Sequence, residues 1–174
     1  MAVLASRARM LWRRSFAGHP ERIAGAGVVV LVGAAVAWYL GSPLFIKSYA
    51  EEALPVATAA PSGAVRTIAV GELGFVDSVH NGKGPVKIVE VGGTRFVRFE
   101  NVAIQNGPDL HVYLSPDTGG KYVDATSLYL GPLKATNGSF NYELPANVDL
   151  ARYHSVIVWC RAFSVLFTWA DLRS

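Results

Sequence analysis

In this 174-residue chain the first candidates for thiol redox, nucleophilic or metal-ligand chemistry are Cys160, the histidines His19, His80, His111 and His154, and Asp109. A thiolate is both a nucleophile and a metal ligand, so Cys160 is the first candidate. It is the sole cysteine. No intrachain disulfide, four-cysteine zinc site or CxxCH haem attachment can therefore be built from this chain. The competing role for such a residue is that of a small buried hydrophobe. The histidines show neither HxxxH nor HxH spacing, so their pattern yields no metal site. Asp109 closes an Asn106-Gly107-Pro108-Asp109 sequence, where turn chemistry accounts for it without a ligand role. There is no GxSxG, no Walker sequence and no pair of catalytic carboxylates, which leaves a hydrolase or kinase without a basis.

The elements that must position these groups are short strands. Residues 155–163 read SVIVWCRAF and are apolar on both faces through Trp159, the pattern of a central strand covered on each side. Period two places Cys160 with Val156 and Val158, and Trp159 with Ile157 on the opposite face. Arg161 then points away from the Cys160 face. Further β-branched and aromatic runs, separated by turn residues, predict strands over 65–70, 73–79, 86–91, 94–100, 110–115, 127–131 and 138–144, with the last strand region over 155–167. Gly92-Gly93 predicts a two-residue hairpin. Residues 149–153 add one helical turn. Such a series of short strands predicts a mainly β domain, an antiparallel β-sandwich.

Ahead of it, residues 23–40 (IAGAGVVVLVGAAVAWYL) contain no charge. At ~1.5 Å per residue they span roughly 27 Å, close to a hydrocarbon core, and Leu44 to Ile46 extend the apolar run. Arg7, Arg9, Arg13, Arg14 and Arg22 precede this segment, and Trp38 and Tyr39 lie near its far end. The positive-inside rule and the aromatic belt predict a single-pass anchor in the cell membrane, N-terminus inside and the following domain extracytoplasmic. A cleaved signal peptide is the alternative, with small residues around Ser48-Tyr49-Ala50, but the apolar run is longer than a signal core. Gly25, Gly33, Ala37 and Gly41 fall on one stripe of four-residue steps, interrupted by Val29, a spacing that suits packing against another membrane helix. The expected organisation is a basic cytoplasmic tail over 1–22, a transmembrane helix over 23–46, an Ala/Pro-rich linker over 47–63 and a β-sandwich over 64–174. Residues 64–174 hold ten basic and ten acidic side chains, so the basic excess belongs to the N-terminal part and nucleic acid is excluded as a partner.

Several motifs, in order, resemble the DM-thirteen domain family. They are Gly74-Phe75 with His80, Gly107-Pro108-Asp109-Leu110 leading into Val112-Tyr113-Leu114, Tyr142-x-Leu144-Pro145, and Tyr153-x-Ser155-Val156 leading into Trp159-Cys160-x-x-Phe163. The likeness covers roughly residues 64–172. It implies a β-rich domain, related in context to DOMON-type modules, that takes part in electron transfer on exported proteins. It implies further that Cys160 is a bare redox thiol or a ligand to a prosthetic group such as haem, with His80 as the opposing ligand. The expected function is a membrane-tethered redox module rather than a self-contained enzyme. The alternatives are an accessory subunit that docks on a larger membrane complex and an adhesion or ligand-binding sandwich. The expected partners are the lipid bilayer and other subunits of such a complex.

Overall fold

The computed structural model describes residues 20–42, 47–55 and 65–174. The arginines of the basic tail up to Arg14, His19, residues 43–46 of the expected span and residues 56–63 of the expected linker lie outside them. The chain divides into two compact units, Met1–Ser42 and Pro43–Ser174.

The first unit contains helix α1, Pro20–Gly41, with Glu21 in its first turn. Pro at the start and an acid near the N-terminal dipole both favour that boundary. Its 22 residues reach roughly 33 Å at ~1.5 Å per residue, with a mean hydropathy of 2.2 over its most apolar window and no buried residue. It is one helix long and apolar enough to cross a membrane, and its length and composition are compatible with a single-pass anchor.

Among the described residues the second unit has ten strands: β1 Tyr49–Glu51, β2 Arg66–Glu72, β3 Gly82–Lys83, β4 Pro85–Val91, β5 Thr94–Ile104, β6 Leu110–Ser115, β7 Leu128–Pro132, β8 Asn137–Glu143, β9 Ser155–Cys160 and β10 Val165–Asp171. One sheet runs β1-β8-β5-β4-β2, with β3 also on β5, and the other runs β10-β9-β6-β7. All pairings are antiparallel except β1 on β8. The facing surfaces share one core: Val86, Val97, Phe99 and Phe140 from the first sheet against Val112, Leu114, Val156 and Val158 from the second. Phe99 and Phe140 stack with ring centroids 4.9 Å apart. Burying side chains of this size is worth roughly 1.5–3 kcal/mol each, which makes this core the main support of the fold. The β2 and β10 sides are joined where Val70 and Arg173 exchange backbone hydrogen bonds of 2.8 and 2.9 Å.

The sandwich agrees with the period-two reading, and Val91 and Thr94 pair across Gly92-Gly93 as that hairpin requires. Three local expectations differ. Residues 73–79 form a loop, with only an isolated bridge between Phe75 and Asn81, because Asp77 draws the chain into a side-chain-capped turn. Residues 155–167 form two strands, since Ser164 takes a φ of 51° and closes a turn over Arg161–Ser164. Tyr49–Glu51, within the expected linker, pairs with β8. Glu52 secures this segment: its carboxylate accepts from Lys134 Nζ at 2.9 Å and from the Asn141 amide at 2.9 Å. Leu54 then covers Val89, Val91 and Phe96 on the outer surface of the first sheet.

Candidate redox site

Cys160 ends β9, opposite Leu110 of β6 and Val165 of β10. Its exposure is 0%, and it belongs to the same core as Val158 and Phe167. Arg161, the next residue, turns to the other side: its Nε donates to the Tyr113 hydroxyl at 2.6 Å, and its guanidinium lies 4.3 Å from the Tyr129 ring centroid. In this packing Cys160 is a core residue with apolar strand neighbours.

His80 lies on the loop between β2 and β3. Its Nδ1 is 2.8 Å from Asp77 Oδ2, and its ring meets Phe167 edge-on at 4.8 Å. Asp77 Oδ1 accepts the amides of Val79 and His80 at 2.8 and 2.7 Å. The hydrogen bond from His80, aided by these amides, holds the Asp77 carboxyl below its ordinary value. The partners of His80 are thus Asp77 and Phe167, with Cys160 among neither. A haem held between Cys160 and His80 does not fit this arrangement, because the sulfur is sealed among core side chains. Two clefts of about 330 and 500 Å³ open elsewhere on the domain, lined by residues such as Leu150 and His154 or Trp169 and Arg173. Neither is lined by Cys160 or His80. Among the described residues no three His, Cys, Asp or Glu side chains group as a metal site.

The outer face of the second sheet gathers chemistry that spacing does not reveal. Strand β6 alternates, sending Leu110, Val112 and Leu114 to the core and His111 and Tyr113 to the opposite face. Tyr113 pairs with Tyr129 of β7, and His111 with Trp159 of β9. The loop between β6 and β7 returns over this face. Gly120 has a φ of +78°, and a Cβ there would lie 2.4 Å from Leu166 Cδ2 and crowd the Trp169 ring. Tyr122 follows and stacks on Trp159, with centroids 4.5 Å apart and planes at 27°. Tyr122 also meets Tyr113 at 4.8 Å, and Tyr113 meets Tyr129 at 5.2 Å. Four aromatic rings are therefore in unbroken contact.

Each phenol of this face has a defined partner. Tyr129 Oη lies 2.9 Å from His111 Nδ1, and His111 Nε2 lies 2.7 Å from Asp109 Oδ1. The Tyr122 hydroxyl donates to Asp124 Oδ1 at 2.6 Å. Burial, together with that carboxylate, holds the Tyr122 phenol above its ordinary pKa. The Tyr113 hydroxyl accepts from Arg161, which raises the guanidinium further above its ordinary value. Asp109 is positioned twice, since its carbonyl also accepts the Arg161 amide at 2.9 Å. Dispersed in sequence, His111 carries no metal-ligand spacing; the signal that finds it is the Asp109-x-His111-x-Tyr113 alternation on one strand face.

The family described as electron transfer DM13, the DM-thirteen family, matches residues 74–172, more than half of the chain. The match contains every strand from β3 to β10, Cys160, His80 and the four-ring face. No curated protein and no solved structure matches the chain.

Proposed function

Because the chain belongs to the DM13 electron-transfer family, we propose that it is a membrane-anchored electron-transfer module whose β-sandwich works on the extracytoplasmic side of the cell membrane. The family match over 74–172 carries the proposal. The apolar helix Pro20–Gly41 supports the tether, and the arginines before it support an inside N-terminus. The domain shuttles electrons between partners rather than turning over a substrate alone.

Cys160 enters this function only if the core around it opens, because a thiol sealed there meets neither oxidant nor partner. The full chain in detergent should exchange one electron reversibly with redox mediators, and Cys160 should resist maleimide until the protein is denatured. Absence of any reversible exchange, at any mediator potential, would refute the electron-transfer function.

A docking role as an accessory subunit has its own support in the loop between β2 and β3. There Phe75 is 68%, Val76 39% and Val79 56% exposed. Apolar side chains gathered on an exposed loop suit contact with another subunit of a membrane complex. Phe75→Ser with Val79→Ser should release a co-purifying partner while leaving the melting temperature unchanged; retention of the partner excludes this loop as the contact.

A further inference from the structure

The four-ring face differs along its length in what meets each phenol oxygen. Tyr129 and Tyr122 each have a proton acceptor, whereas Tyr113 has a cation. A phenol is a poor one-electron donor while it keeps its proton. It becomes an accessible one when the proton leaves, with the electron, to a base already hydrogen-bonded to it.

Tyr129 has such a base. Asp109 accepts only, so the network assigns the His111 proton to Nε2 and leaves the Nδ1 lone pair facing the Tyr129 hydroxyl. The carboxylate then stabilises the imidazolium that forms when His111 takes a proton. Packing alone does not account for this alignment, since phenylalanine at position 129 would cover the sheet edge equally well.

We propose that Tyr129 is a proton-coupled one-electron site of the domain, with His111 as its proton acceptor and Tyr113, Tyr122 and Trp159 as the ring-to-ring path. The proposal rests on the electron-transfer function above and names its route. The oxidant is a high-potential one-electron acceptor outside this chain, a high-valent metal centre or an organic radical. It removes one electron from Tyr129; the O–H bond breaks and the proton moves to His111 Nδ1. A neutral phenoxyl radical remains beside an imidazolium paired with Asp109. A one-electron donor then reduces the radical and the proton returns, so the cycle neither gains nor loses an atom.

The charges on this face favour that order. Arg161, 4.3 Å from the Tyr129 ring centroid and 5.5 Å from that of Tyr113, opposes a radical cation on either ring, so oxidation requires proton loss. Tyr129 has His111 and Tyr122 has Asp124 to receive the proton, whereas the Tyr113 hydroxyl meets the Arg161 cation and the Tyr122 phenol. Tyr113, 2% exposed, bridges them, while Tyr129, 44% exposed, reaches a docking partner directly.

The test uses the full chain in detergent, with photogenerated ruthenium(III) tris-bipyridyl as oxidant. Phenoxyl absorbance and freeze-quenched electron paramagnetic resonance are read in water and in deuterium oxide. Wild type should give a tyrosyl radical that forms more slowly in deuterium oxide. Tyr129→Phe should remove most of that signal, and Tyr49→Phe, on the other sheet, should not. His111→Leu should slow radical formation by about a hundredfold, the lower range for a positioned base. Asp109→Asn, which keeps the shape of the site, should slow it in the same direction and covers the case in which His111→Leu misfolds. An undiminished radical in Tyr129→Phe, or no isotope effect in wild type, overturns the proposal. Reversible electron exchange that survives in Tyr129→Phe refutes the relay and leaves the electron-transfer function standing; a wild type that exchanges no electron refutes both.

Discussion

Replacement of Cys160 by serine tests whether the sulfur lies in a dry core or in a site prepared for chemistry. Cys160 is 0% exposed, and its strand pairs with β6 on one side and β10 on the other. Neighbouring backbone carbonyls are thus committed to the ladder, and a serine hydroxyl would be buried without a partner. That loss is worth about 1–3 kcal/mol. Cys160→Ala removes one heavy atom and leaves a small void, about 1 kcal/mol by comparison with a buried methylene. Serine should therefore be less stable than alanine although it is closer to cysteine in volume. At about 4–8 °C per kcal/mol for a domain near this size, Cys160→Ser should melt roughly 10 °C below wild type. Against a typical stability of about 5–15 kcal/mol, the variant remains folded at room temperature. The assay is thermal melting of the full chain in detergent, followed by near-ultraviolet circular dichroism. A serine variant as stable as the alanine variant, or more stable, would refute the dry-core assignment: the hydroxyl would then have found water or a polar partner, and the thiol would be within reach of reagents.

Four other outcomes are expected. Gly138 has a φ of +103° and lies against the Ala50 carbonyl, so Gly138→Val should cost about 1–3 kcal/mol in backbone strain and displace β1, read as lost amide protection over Tyr49–Glu51 by hydrogen exchange. Burial pushes the Glu52 carboxyl up, but Lys134, the Asn141 amide and Arg98 more than offset it and leave it below its ordinary value. Its contribution is then present above the ordinary glutamate pKa and lost as pH falls through the lower folded value; protection of β1 should follow that acid limb in wild type and lose it in Glu52→Gln. Ser62→Cys in a Cys160→Ala background should react with a membrane-impermeant maleimide on intact cells, and protection until lysis would reverse the proposed orientation. Gly33→Leu with Ala37→Leu should reduce recovery of a helix partner, and unchanged recovery would show a lone anchor.

Contiguous and periodic features were legible in the residues themselves. Eighteen uncharged residues from Ile23 to Leu40 specify a helix of membrane length without reference to the rest of the chain. Alternation in Leu110–Ser115 specifies both a strand and its two faces, and Gly92-Gly93 specifies the hairpin after β4. The motifs from Gly74 to Trp159-Cys160-x-x-Phe163 were sufficient for the family. What covers each face depends instead on contacts between residues far apart, which no local period encodes. Tyr49–Glu51 looks like linker because three residues carry no alternation, and it becomes a strand only when β8, more than eighty residues later, offers an edge. The division of 155–167 turns on Ser164 adopting a positive φ in a segment without glycine or proline to announce it. Tyr122 lies in a loop with no pattern of its own, yet that loop folds back to stack it on Trp159, and β7 brings Tyr129 to His111. Alternation decided that His111 and Tyr113 share a face; only the packing of strands and loop decided that the face would be closed over by aromatic rings, with a base at one phenol and a cation at the next.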